Sequence, residues 1–259
     1  MPDRLKNIKL KIEYDGTNYA GWQRQKNAIS IQEVLEDVLY RMTNQRTTLT
    51  AAGRTDSGVH AKGQTANFYT DSTIPADRFC YAFNALLPDD VRVVESCEVA
   101  HDFHSRFTAI GKWYRYSIVY HPHGIAIGRH YYHHVPFSLD VEAMIIAAKH
   151  FEGTHDFCGF MSTGSRIKNT VRNLDRISME GQPPFLHVDL YGGGFLYNMV
   201  RIVVGTLIEV GAKRINPDDL TRIISSRDRN MAGPTAPAHG LCLMEVYYQK
   251  QSELSLDNE

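Results

Sequence analysis

Ile8, Leu10, Ile12 and Tyr14 alternate with Lys9, Lys11 and Glu13, the period of a half-buried strand. Ser30-Ile31-Gln32-Glu33 is a capping box, in which the serine side chain satisfies a first-turn N–H. Behind it Ile31, Val34, Leu35, Val38, Leu39 and Met42 recur at helical spacing and predict a helix over 31–42. Short strands are expected over 48–52 and 64–69, flanking a polar loop from Gly53 to His60. Pro75 stands where the first turn of a helix reaching about residue 87 is expected. Residues 91–99 form another strand. The first half reads βαββαβ.

The second half repeats that order without convincing identity between the halves. A strand over 112–120 places Tyr114, Tyr116, Ile118 and Tyr120 on one face. Ser138 is expected to cap a helix up to residue 151. Strands follow over 171–179 and 184–191. A long apolar helix is expected over 195–210, another opens at Asn216-Pro217 and ends near 225, and 241–248 is a last strand. A βαββαβ unit is the ferredoxin-like arrangement. The expected fold is therefore α+β: two ferredoxin-like halves with antiparallel sheets joined around a central cleft, where ligands commonly bind. The expected domains are 1–105 and 106–250, with a flexible acidic tail over 251–259.

Charge changes this picture only locally. The chain of 259 residues carries 28 Lys+Arg against 29 Asp+Glu, so no whole-chain basic field marks a nucleic-acid binder. Yet residues 103–139 hold no acid, while carrying Arg106, Lys112, Arg115, Arg129 and six histidines. Residues 157–174 are likewise acid-free, with Arg166, Lys168 and Arg172. Arg41, Arg46 and Arg54 fall between Asp37 and Asp56 without an intervening acid. Aromatics interleave with these windows, and rings beside cations suit unpaired bases and phosphates. A solvated face explains such runs as well. No run approaches the roughly 18 apolar residues of a membrane span. The charged start lacks an apolar signal core, so a cytoplasmic protein is expected. The four scattered cysteines form no C-x-x-C pair and read as small buried apolar residues.

Three segments invite chemistry. In Gly53-Arg54-Thr55-Asp56-Ser57-Gly58 a carboxylate sits between glycines whose backbone can approach a ligand closely, though the same residue types build plain turns. Gly192-Gly193-Gly194 precedes a helix but lacks the Lys-Ser/Thr of a phosphate loop and the spacing of a dinucleotide fingerprint. Arg201 is the only charge between Asp189 and Glu209, and a charge on so apolar a segment demands a partner. The histidines from His121 to His134 show no helical H-x-x-x-H, and His133 and His134 point to opposite faces of a strand.

Five ordered segments then combine: Tyr14 to Gln25, Gly53 to Ala61, Phe103 to Phe107, Lys112 to Tyr116, and Phe195 to Arg201. Together they resemble the tRNA pseudouridine synthase I (TruA) family over nearly the whole chain, with Gly240-Leu241-Cys242-Leu243 similar to its closing strand. The resemblance implies isomerisation of uridine to pseudouridine in the tRNA anticodon stem-loop, at positions 38, 39 and 40. It also implies no metal or organic cofactor, a homodimer, and no membrane partner. Asp56 is implied as the catalytic nucleophile, Tyr114 as the tyrosine that packs on the target base, and Arg201 as the cation paired with the aspartate. Arg54, Phe103, His104, Ser105, Arg106, Phe107, Ser165, Arg166 and Lys168 are implied tRNA contacts. Whether the carboxylate attacks C1′ or C6, or removes the C2′ proton, stays open. A non-catalytic RNA-binding protein of ferredoxin-like fold is the alternative, and a histidine-rich metal enzyme a third reading.

Overall fold

The computed structural model describes residues 5–162, 164 and 167–249. In chain order its elements are β1 (Lys6–Tyr14), α1 (Ile31–Thr43), β2 (Thr50–Ala51), β3 (His60–Thr70), α2 (Phe79–Asn84), β4 (Val91–Val99) and β5 (Ala109–Tyr120). They continue with β6 (His133–Val135), α3 (Val141–Lys149), β7 (Gly153–Asp156), β8 (Val171–Glu180), β9 (Phe185–Gly192), α4 (Met199–Gly211), α5 (Leu220–Ser226) and β10 (Leu241–Tyr248). The protein is mixed α+β. No helix among the described residues is long and apolar enough to cross a membrane.

By compactness the chain divides into two units, residues up to Ile110 together with those from Leu243 onward, and Gly111–Cys242. The division falls inside β10, so the last strand is shared out rather than belonging whole to the second half.

In the first unit the strand order is β4-β1-β3-β10, with β2 beside β3. β1 runs antiparallel to both neighbours. The alternation of β1 sorts its two faces. Ile8, Leu10 and Ile12 are fully buried, and Phe68, which pairs with Ile8, packs edge-on to Phe79 and Phe83 of α2. The other face carries Asn7, Lys9 and Lys11, and Lys11 makes an ion pair with Glu245 of β10 at 2.8 Å. Ser30 caps α1 as expected, its Oγ accepting from the Glu33 N–H. Pro75 precedes a short 3₁₀ turn, not an α-helix. At the end of α2 the Asn84 amide turns to β4, accepting from the Val93 N–H at 2.9 Å and donating to the Val93 carbonyl at 2.8 Å.

In the second unit the order is β5-β9-β8-β7, all neighbours antiparallel, with β6 parallel to β5. The short strands β6 and β7 add to the expected βαββαβ order. α4 supplies the core: all its residues except Arg201 and Glu209 are buried. α3 lies against it so closely that a Cβ at Gly211 would meet Met144 Sδ at 2.7 Å. The cap of α3 is Asp140 rather than Ser138, its Oδ1 accepting from the Ala143 N–H at 3.1 Å. The Asp140 N–H in turn donates to the Gly211 carbonyl at 2.9 Å. α4 begins at Met199, four residues later than expected, because Asn198 adopts a left-handed conformation with φ 61° that a continuing helix excludes. Asp189 is buried on β9 and accepts from Trp113 Nε1 at 2.7 Å and from Arg115 Nε at 2.9 Å. A buried carboxylate needs such partners.

Candidate active site

Asp56 lies half-buried in the loop between β2 and β3, and a second loop, residues 15–30, is folded against it. Gly16 and Gly21 make that packing possible. A Cβ on Gly16 would strike the Val59 carbonyl, and one on Gly21 the Thr55 carbonyl. Gly21 also has φ +88°, a region that costs other residues about 1–2 kcal/mol. The two loops are then tied together by hydrogen bonds. The Trp22 N–H donates to Thr55 O at 3.0 Å, and the Gly58 N–H to Tyr19 O at 3.3 Å. Ser57 Oγ donates to the same Tyr19 carbonyl at 3.2 Å. Tyr14 and Thr55 share a side-chain hydrogen bond of 2.8 Å.

The wrapping loop is itself held. Trp22 is buried, 6.2 Å from the Tyr14 ring. Tyr19 Oη donates to Asp90 Oδ1 at 2.6 Å; burial first, and the Asp90 and Asp15 charges after it, push this phenol upward and keep it protonated. The Gly16 N–H donates to His60 Nδ1 at 3.0 Å. Gln64 Nε2 donates to Gly53 O at 2.8 Å and fixes the loop's entry. The backbone on both sides of Asp56 is thus over-determined, the condition for a preorganised reacting group. Arg54 projects into solvent beside it.

The segment 103–107 divides by burial. Phe103 and Ser105 are almost wholly excluded from solvent. A buried relay holds them: Asn7 Nδ2 donates to Phe103 O at 2.9 Å, and Asn67 Nδ2 to Asn7 Oδ1 at 2.9 Å. The Ser105 N–H and Oγ both donate to Asn67 Oδ1 at 2.9 Å. Tyr248 of β10 donates to Ser105 O at 2.7 Å and packs on the Phe103 ring. Phe103 and Ser105 thus present almost no surface of their own and hold the segment in place. What they support is exposed. Arg106 and Phe107 project outward, Phe107 at 75% exposure, with the His104 ring 4.2 Å from the Phe107 ring. His104 Nδ1 accepts from the Arg106 and Phe107 N–H groups, which requires its proton on Nε2.

In the second unit Tyr114 is buried on β5, 5.1 Å edge-on from Phe195. Arg201, half-buried on α4, donates through Nε to Ala236 O at 2.7 Å and through NH1 to Asn198 Oδ1 at 2.8 Å. Tyr116, two residues beyond Tyr114, donates to Pro237 O at 2.8 Å, and burial holds its phenol protonated against the opposing Arg201 charge. Lys168 is exposed. Ser165 and Arg166 lie outside the described residues. Of the histidines, His133 packs beside Tyr116 and His239, whereas His134 turns outward to the His121 carbonyl. Among the described residues no group of three or more His, Cys, Asp and Glu side chains is placed to hold a metal ion.

The stretch from Tyr14 to Gln25 carries part of the family resemblance, but its residue types alone assign it no role. The signal available was its spacing of two glycines five residues apart around aromatics, in a loop with no strand or helix period. Asn7, Asn67 and Tyr248 left no such signal, because they meet only through strand pairing.

The chain matches the family model described as tRNA pseudouridine synthase over residues 11–108 and 147–249. A relative named tRNA pseudouridine synthase A from Acetivibrio thermocellus is 52% identical over 244 residues, 94% of this chain and 100% of that one. A protein named tRNA pseudouridine synthase A 2 from Clostridium tetani is 47% identical over 94% of this chain and 99% of its own length. The protein named tRNA pseudouridine synthase A from Clostridium acetobutylicum is 46% identical, with 94% and 100% covered.

Proposed function

The chain belongs to the tRNA pseudouridine synthase family, an isomerase acting on tRNA, and from that premise we propose that Asp56 is its catalytic nucleophile and that its target uridine lies in the anticodon stem-loop. The observation that carries the proposal is the Asp56 loop, held on both sides by a second loop that only glycine permits at Gly16 and Gly21.

The reaction breaks the N1–C1′ bond and forms C5–C1′. C5 loses its proton and N1 gains one, so atoms balance without an outside reactant. An ionised carboxylate serves each of the three routes: attack at C1′, attack at C6, or removal of the C2′ proton. In this reading Arg201 is the cation that favours the ionised carboxylate, and its planar fork suits that part better than a lysine. Tyr114 offers an aromatic face to the detached base. A base in a stem-loop must be extruded before attack, and cationic contacts to phosphate offset that cost. Arg54, Arg106 and Lys168 supply them, with His104 and Phe107 as a stacking surface; the same part is proposed for Ser165 and Arg166. A homodimer working in the cytoplasm completes the proposal.

The test uses tRNA labelled with tritium at uridine C5, because only isomerisation releases that label to water. Asp56→Ala and Asp56→Asn are expected to release none above background while still binding tRNA. Retained release by either folded variant sinks the assignment of Asp56.

A further inference from the structure

Asn198 stands at the N-terminus of α4, where asparagine is among the best caps available. It does not cap. Its side chain accepts no hydrogen bond from the first turn, and its backbone takes φ 61°, ψ 7° instead of the extended conformation usual for a cap. Both departures carry a cost, and non-glycine residues held in this region cluster where function requires them. The amide is diverted elsewhere. Oδ1 accepts from Arg201 NH1 at 2.8 Å, and Nδ2 donates to Ser162 Oγ at 2.8 Å. A guanidinium only donates, so the amide oxygen must face Arg201, which aims the NH2 group at Ser162. Ser162 is anchored in turn by its N–H to Tyr197 O at 3.2 Å.

Arg201 is thereby gripped from two sides. Asn198 takes NH1 and the Ala236 carbonyl takes Nε. The backbone closes the second grip, since the Ala236 N–H donates to Arg201 O at 3.1 Å. Two fixed bonds to one planar group set both its plane and its direction.

We propose that Asn198 is a positioning residue that sets the aim of Arg201, with Ser162 orienting its amide. The inference rests on the catalytic reading of Arg201. It explains why asparagine, rather than glycine or a capping serine, occupies a left-handed position before this helix.

Asn198→Gly separates the two duties of the residue, because glycine adopts φ 61° freely but has no amide. In the tritium-release assay, Asn198→Gly is expected to lower kcat about tenfold or more with KM for tRNA within about twofold, while its two lost hydrogen bonds lower the melting temperature by only a few degrees. The acid limb of its kcat–pH profile is expected to move to higher pH, as a misaimed cation holds a carboxylate ionised less well. Ser162→Ala is expected to give a smaller loss of the same kind. Wild-type kcat and an unmoved acid limb in Asn198→Gly, alongside an inactive Arg201→Ala, overturn the inference alone. So does a loss expressed mainly in KM and melting temperature. An active Arg201→Ala overturns instead the catalytic reading beneath it.

Discussion

Replacing Gly21 by alanine places a single methyl group where the Asp56 loop now lies. Two costs follow. The backbone at φ +88° is about 1–2 kcal/mol less favourable for an L-residue. The new Cβ would also overlap the Thr55 carbonyl and stand 2.9 Å from the Asp56 carbonyl carbon. Ordinary contact begins near 3.4 Å, so the loop must recede by about 0.5 Å there and further at Thr55. That movement breaks the bond from the Trp22 N–H to Thr55 O, worth about 1 kcal/mol. The sum is about 2–3 kcal/mol, and at roughly 2–4 °C per kcal/mol the melting temperature falls by about 4–12 °C. Catalysis suffers separately, because a displacement of about 1 Å costs up to ~100-fold in rate. The assays are a thermal melt and single-turnover tritium release at saturating tRNA. Gly16→Ala is the comparison: its Cβ overlaps the Val59 carbonyl more deeply but without a positive φ, so a rate loss and a loss of stability are expected from overlap alone. A Gly21→Ala protein with wild-type turnover and melting temperature would refute the idea that the wrapping loop positions Asp56.

Two further outcomes are expected. Arg106→Ala should weaken tRNA binding and lower the slope of log affinity against log salt by about one, measured by filter binding at several ionic strengths; an unchanged slope removes Arg106 from the RNA contacts. The second concerns His133, whose burial, with His239 and His134 nearby, lowers its pKa from 6.5 to about 4. Between those values the unfolded chain binds more protons than the folded one, so stability falls as pH drops from 6.5 towards 4, and His133→Gln should flatten that fall in denaturant titrations.

The elements that local pattern foretold are those whose packing is one-sided. β1 alternates because one face meets Phe68 and α2 while the other carries lysines. β4 and β10 match their expected residues for the same reason, and α1 begins at its serine cap. The misses have tertiary causes. β6 and β7 have three and four residues, too few to show a period, and exist through their pairing with β5 and β8. α2 is short, and its last residue, Asn84, is bound to Val93 of β4 nine positions ahead. α4 starts late because Asn198 is committed to Arg201 and Ser162. In both helices an asparagine spends its amide across the fold, which no helical period can reveal.

Charge obeys the same logic, and it narrows what an acid-free window means. Arg115 lies in such a window, yet its guanidinium is bound to Asp189 and Glu180 from β9 and β8. Arg172, in another, donates to the carbonyls of Asn169 and Val171. Arg24, by contrast, lies outside these windows and answers the acids of α1 at Glu36 and Asp37. Freedom from acids in sequence therefore does not mean freedom from acids in space. The exposed cations in the windows are a smaller set, Arg54, Arg106 and Lys168 among them. Each phosphate contact releases roughly one counterion, so a chain of net charge -1 that presents its cations locally should bind tRNA through few contacts. Arginines already held by carboxylates such as Asp189 contribute to the fold rather than to that number.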